Sequence, residues 1–160
     1  MTELLDPLDL RILELLQEDV TTPVNDIAER VASSKSVVWR RIQRFLDSGI
    51  IRRRVAVLDA KKVGLGVTVF AHVKMARHGE HALQKFERAI NRHPEVVECH
   101  TLMGDVDFLL KIVVRDVESY QRFVWNQLSQ IEGVGEVSSS ISLSQLIDAA
   151  RLPLEPRGES

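Results

Sequence analysis

One cysteine, Cys99, is all the thiol this 160-residue chain carries. No disulfide can close within it, and the reducing cytoplasm is the expected compartment. No apolar run approaches the roughly 18–20 residues that a membrane-spanning helix needs, so no membrane association is expected. Met1-Thr2-Glu3-Leu4 lacks the basic start and apolar stretch of a signal peptide. Catalytic signatures are missing too: there is no phosphate loop, no Ser/His/Asp motif and no paired-acid pattern. Five histidines (His72, His78, His81, His93, His100) have no cysteine or acid at a ligand-like spacing, which favours surface histidines over a metal site. Neither cofactor nor metal is expected. Cys99 itself alternates inward on a strand pattern and reads as a small buried hydrophobe.

What is present is a charge reversal. The chain has a net charge of −2, yet from Lys35 to Arg54 seven Lys/Arg stand against the single acid Asp47, a local balance of +6. Residues 1–22 are the opposite, with six acids against Arg11. A concentrated basic patch on an acidic protein is the electrostatic footprint of a surface that meets nucleic-acid phosphates.

The patch sits in a helical context. Leu5, Leu8, Ile12, Leu15 and Leu16 make one apolar stripe. Thr22-Pro23 reads as an N-cap followed by a first-turn proline, opening a second helix that buries Val24, Ile27, Ala28 and Val31. After a tight turn at Ala32-Ser33, Ser34 caps a third helix whose inward face is Val38, Ile42 and Phe45 and which Gly49 stops. Three such helices form a helix-turn-helix pattern. On the outward face, Ser36, Arg40, Gln43 and Arg44 could read bases, since arginine pairs with guanine and glutamine with adenine in the major groove. Ser34 opens this face. Lys35, Arg41 and part of the Arg52-Arg53-Arg54 run, taken as Arg52 and Arg54, suit phosphates. Trp39 is expected to pack against the domain. Ile50 to Leu58 is β-branched and basic, which suits a hairpin or wing.

Beyond the glycine-bearing junction at 61–66 the pattern changes to βαββαβ. Val67 to Met75 alternates as a strand, Leu83, Phe86, Ala89 and Ile90 mark a helix, and Val96–Met103 and Val106–Val114 flank a turn at Gly104-Asp105. Asp116 caps a second helix through Ile131, and Val137 to Leu143 forms the last strand. The turn carries two carboxylates two apart, Asp105 and Asp107, beside Met103 and Gly104, with Ser138 and Ser140 on one strand face. These groups could hold an ammonium and a carboxylate. Composition alone favours an ordinary Gly-Asp hairpin.

From Leu5 to about Asp148 the chain resembles the Lrp/AsnC (feast/famine) family of transcription regulators. The resemblance rests on Leu5-Asp6-x-x-Asp9-x-x-Ile12-Leu13, Ile27-Ala28-x-x-Val31, Arg41-Ile42-x-x-Phe45-x-x-x-Gly49-Ile50-Ile51 and Gly104-Asp105-Val106-Asp107-Phe108-Leu109-Leu110-Lys111. It implies an α+β protein: a winged helix-turn-helix over 1–59, a hinge over 60–66, a ferredoxin-like ligand-sensing domain over 67–148, and a loose tail over 149–160. It further implies double-stranded DNA as partner, an amino acid or related small effector, and homodimers assembling to octamers. By position the effector site would include Leu102, Gly104, Asp105 and Asp107, with Ser140. The resemblance shifts the reading of that turn toward a ligand site. Ala32 departs from the family, which usually has glycine there. An alternative on the same fold is a decarboxylase of haem precursors, drawing on His72, His81 or His100 or on the basic residues. A sensing protein without DNA binding is a third reading, which the full N-terminal half disfavours.

Overall fold

A computed structural model describes residues 5–76, 80–147 and 151–154. His78, Met1–Leu4 and the remainder of the tail lie outside the described residues. The chain divides into two compact units, one up to Ala56 together with the chain from Ile147 on, the other from Val57 to Leu146.

In the first unit three helices run over Pro7–Glu18 (α1), Val24–Arg30 (α2) and Lys35–Asp47 (α3). Asp6 opens α1 with a reciprocal cap: its carboxylate accepts from the Asp9 N–H at 2.8 Å, and the Asp9 carboxylate accepts from the Asp6 N–H at 3.1 Å. Each bond satisfies an amide that the first helical turn leaves orphaned. Pro23, rather than Thr22, occupies the cap position of α2, and no side chain caps that helix. Ser34 caps α3, accepting from the Val37 N–H at 3.3 Å. Ile12, Leu13, Ile27, Ala28, Val31, Val38, Ile42 and Phe45 close into one core. Helical spacing selected all of these but Leu13, and the expected Leu5, Leu8, Leu15, Leu16 and Val24 pack against it partly buried.

Two expectations fail in this unit. Over 50–58 no strand forms among the described residues, and every side chain from Arg52 to Asp59 is exposed. The Ile51 N–H bonds the Phe45 carbonyl at 2.9 Å, ending the helix. The segment beyond it has strand composition but pairs with no strand among the described residues, and chain without a ladder partner is not a sheet. The tail, expected to be loose, is fixed where it is described. The Gln17 side-chain amide donates to the Leu152 carbonyl at 3.3 Å and accepts from the Leu152 N–H at 2.7 Å. Arg151 pairs with Glu18 at 2.5 Å, and Leu154 packs on the helical core.

The second unit is a four-stranded antiparallel sheet of order β2-β3-β1-β4, with β1 Val67–Met75, β2 Val96–Thr101, β3 Phe108–Val114 and β4 Val134–Ile141. Helices α4 (Glu80–Ile90) and α5 (Val117–Asn126) complete the expected βαββαβ order. Alternation sends Val69, Ala71, Val73 and Met75 of β1 and Phe108, Leu110, Ile112 and Val114 of β3 into one core with Phe86, Ile90, Tyr120 and Phe123. Phe86 stacks on Phe108 at 4.3 Å between ring centroids. Tyr120 OH bonds the Ser139 hydroxyl, joining α5 to β4. Asp116 caps α5 through the Ser119 N–H at 2.6 Å. Cys99 lies opposite buried Leu110 as the alternation requires, but on the edge strand β2 it remains exposed rather than buried.

Candidate nucleic-acid interface and effector site

The capped N-terminus and buried Val38, Ile42 and Phe45 fix which side of α3 faces water. Lys35, Ser36, Trp39 and Arg40 are exposed and Gln43 is half-buried. On a helix of 3.6 residues per turn, Ser36, Trp39, Arg40 and Gln43 share one stripe opposite the core. Trp39 is 53% exposed, so the expected packing against the domain is not found. On the wheel it flanks Gln43 on the side of Ile42, and i, i+3, i+4 spacing to Ser36 and Gln43 was the signal that it could join their stripe. Ser34 is exposed, with its hydroxyl engaged as the cap and 3.2 Å from that of Ser36.

Arg41 and Arg44 lie differently. Arg41, expected to face phosphates, turns back toward the start of α1, where its Nη1 meets Asp6 at 2.6 Å and Asp9 at 2.5 Å. Arg44 Nη2 stands 2.7 Å from the same Asp9 oxygen, and its guanidinium lies over the Phe45 ring. The ion pairs raise the Arg41 pKa above its ordinary value, the hydrogen bond to Asp6 contributing most. The same bond holds the Asp6 carboxyl below the usual carboxylate range. Arg41 is therefore an internal tie between helices, and its alternation with Arg40 is what the charge count concealed. Arg52 and Arg54 are both exposed on the segment that follows α3.

In the second unit the hairpin loop is wider than the two-residue turn expected. The Leu102 N–H bonds the Asp107 carbonyl at 2.8 Å, leaving residues 103–106 as the loop. Gly104 adopts φ 156°, and Leu102, Met103 and Asp105 are exposed. Asp107 ties the loop to β1: its carboxylate accepts from the Met75 N–H at 2.7 Å, and its own N–H bonds the Val73 carbonyl at 3.0 Å. Ser138 and Ser140 pair with His72 and Phe70 on the sheet face away from the helices. Strand β1 lies between β3 and β4, so two strand spacings, about 10 Å, part these serines from the strand that follows the loop. One chain does not bring the two halves of the expected effector site together.

That open face also carries Leu109, Lys111, Glu98 and His100. Glu98 accepts from Lys111 at 2.9 Å and approaches His100 at 3.4 Å. These contacts, Lys111 first, hold the Glu98 carboxyl low against its desolvation. Two cavities, of about 430 Å³ beside α5 and about 420 Å³ beside α4, are lined by other residues than those of the 102–107 loop. Among the described residues no group of three His, Cys, Asp or Glu is arranged to hold a metal, and no helix is long and apolar enough to cross a membrane.

Residues 5–52 match the family model of winged helix-turn-helix DNA-binding, and residues 68–152 match that of the Lrp/AsnC ligand binding domain. The glutamate uptake regulatory protein of Zymomonas mobilis is 37% identical over 96% of this chain and 93% of its own length. The transcriptional activator DecR of Escherichia coli is 32% identical over 95% and 100%. An AsnC family regulator from Agrobacterium tumefaciens has a similar structure, with a TM-score of 0.88, 42% identity and coverage of 93% and 97%. A Neisseria meningitidis regulator solved as a complex with L-Met gives 0.88, 34%, 93% and 96%. Fold and site thus define a transcription regulator that joins a DNA-binding unit to a ligand-binding one. The chain belongs to the Lrp/AsnC family. These relatives are named as transcription regulators, and none supports the decarboxylase alternative.

Proposed function

We propose that this regulator reads its DNA site with Ser36, Trp39, Arg40 and Gln43 of α3, and that Lys35, Arg52 and Arg54 hold phosphates. The observation that carries this reading is the exposed polar stripe on a helix capped by Ser34 and locked from behind by Val38, Ile42 and Phe45. Rigid support matters because a base-reading side chain must arrive in one geometry to discriminate bases. Two copies would present paired recognition helices to half-sites roughly 10 bp apart or a multiple of it.

The effector is an amino acid, bound at the 102–107 loop with Gly104, Asp105 and Asp107. Support comes from the two relatives whose names involve glutamate and L-Met, and from the mixed donor and acceptor character of the loop. A small-ligand site is normally concave, whereas Leu102, Met103 and Asp105 stand exposed in one chain. A second copy would complete the site, bringing Ser138 and Ser140 of one chain toward the loop of another. The open sheet face with Phe70 and Leu109, and exposed Val55, Val57 and Leu58, give copies apolar surface to share. A dimer is the least assembly this reading requires; that dimers go on to form octamers, in the cytoplasm, is part of the proposal.

The test is a mobility shift of the duplex upstream of the protein's own coding sequence, paired with a thermal-shift screen of the twenty amino acids. A true effector at a hundredfold excess over its Kd stabilises by about 2.7 kcal/mol. A shift of the duplex, altered by the same amino acid that raises Tm, supports the proposal. A chain that shifts no upstream duplex, or whose Tm moves with none of the twenty, contradicts it.

A further inference from the structure

Asp9 is the one buried charged side chain among the described residues, at 1% exposure. Its surroundings account for both oxygens. Oδ1 takes Arg41 at 2.5 Å and Arg44 at 2.7 Å, and Oδ2 takes the Asp6 N–H at 3.1 Å. Both arginines belong to α3, while Asp9 belongs to α1. One carboxylate thus gathers two of the seven basic side chains that gave the 35–54 segment its charge. Arg41 is 21% exposed along its side chain, and Arg44 is 41% exposed although its Nε and Nη2 are buried. Arg41 is thus the one free to swing into water when the charge beneath it is removed, with Arg44 following only if its packing loosens.

Such anchoring changes how α3 meets a duplex. A mobile surface arginine finds any phosphate, releases counterions and adds affinity without sequence information. An anchored one is withheld from the backbone, or is held in one orientation and contributes discrimination. We propose that Asp9 is a specificity-determining positioning residue: it keeps Arg41 and Arg44 off the phosphates, so that the reading stripe of α3 meets the duplex without them. The proposal rests on the reading of α3 as the recognition helix.

The unusual expectation is that removing this buried acid strengthens indiscriminate binding. Asp9→Asn keeps the shape of the side chain and an acceptor for the Asp6 amide but loses the charge. Binding of the full chain to its upstream duplex and to a scrambled duplex of equal composition is measured by fluorescence anisotropy from 50 to 300 mM salt, at a temperature where thermal melting finds both proteins folded. For D9N the slope of log Kobs against log[salt] should steepen by about 1 to 2, as one or two phosphate contacts are added at about 0.9 each. The preference for the upstream duplex should fall about tenfold. A double variant, D9N with Arg41→Gln, should recover most of the wild-type slope, which a merely destabilising effect would not do.

Equal slopes and an equal preference in folded D9N overturn the role of Asp9. If D9N melts below the assay temperature, Arg41→Gln alone decides: a slope like that of the wild type supports withholding, and one flatter by about 1 overturns it by showing Arg41 already on phosphate. A wild-type chain that binds neither duplex sinks the reading of α3 itself, an outcome distinct from either.

Discussion

Ala32 makes the turn into α3 at φ 50°, where an L side chain crowds the following carbonyl at a cost of about 1–2 kcal/mol. Glycine there would relieve the crowding while giving the unfolded chain more freedom, worth about 0.4–1 kcal/mol. Ala32→Gly should therefore raise stability by up to about 1.6 kcal/mol, read as a higher midpoint in denaturant; a lower midpoint would contradict the strain. Asp6 sets an acid limit. Its folded-state pKa is depressed by Arg41, so its contribution is present above the unfolded value of about 3.9 and fades as pH falls through the lower folded one. Thermal melts should drop from pH 6 to pH 3, and Asp6→Asn should flatten that dependence. The core positions were legible at this scale because burial follows periodicity, as Val38, Ile42 and Phe45 demonstrate. Arg41 was not, since its partner lies 32 residues away and only the packing of α1 on α3 joins them.

Helices and strands followed from pattern where a local signal closed them: the Ser34 and Asp116 caps and the alternation of β1 and β3 needed no distant information. The 50–58 segment failed because a strand is a property of pairs, and β-branched residues supply propensity without a partner. The tail failed for a related reason, since polarity and proline say nothing of Gln17 waiting on α1. Two hydrogen bonds, an ion pair and Leu154 hold residues 151–154. Exposed bonds of this kind contribute about 0.5–1.5 kcal/mol each and the ion pair at most about 1. Ending the chain after residue 150 should lower the stability of the helical unit by about 1–3 kcal/mol in a denaturant titration. An unchanged midpoint would mean the tail adds nothing to that unit.

On the scale of the whole molecule, the two proposed sites differ in how much of each one chain holds. The proposed DNA-reading stripe lies within a single α3, whereas the residues expected to bind the effector are parted by β1. A regulator built this way would sense its ligand only where copies meet, so ligand affinity and assembly would be linked. Sedimentation of the protein should shift to larger species with the amino acid that raises its Tm; an effector that binds without changing assembly would separate the two. DNA binding remains the claim on which the rest depends, and Arg40 is its sharpest point: exposed, central on the stripe and outside the Asp9 network. Anisotropy titrations of wild type and Arg40→Ala against the upstream and scrambled duplexes test it directly. Loss of one bidentate base contact, about 1–3 kcal/mol, should weaken the upstream complex about tenfold or more while the scrambled complex weakens far less. Equal affinities of the two proteins for the upstream duplex would contradict the account.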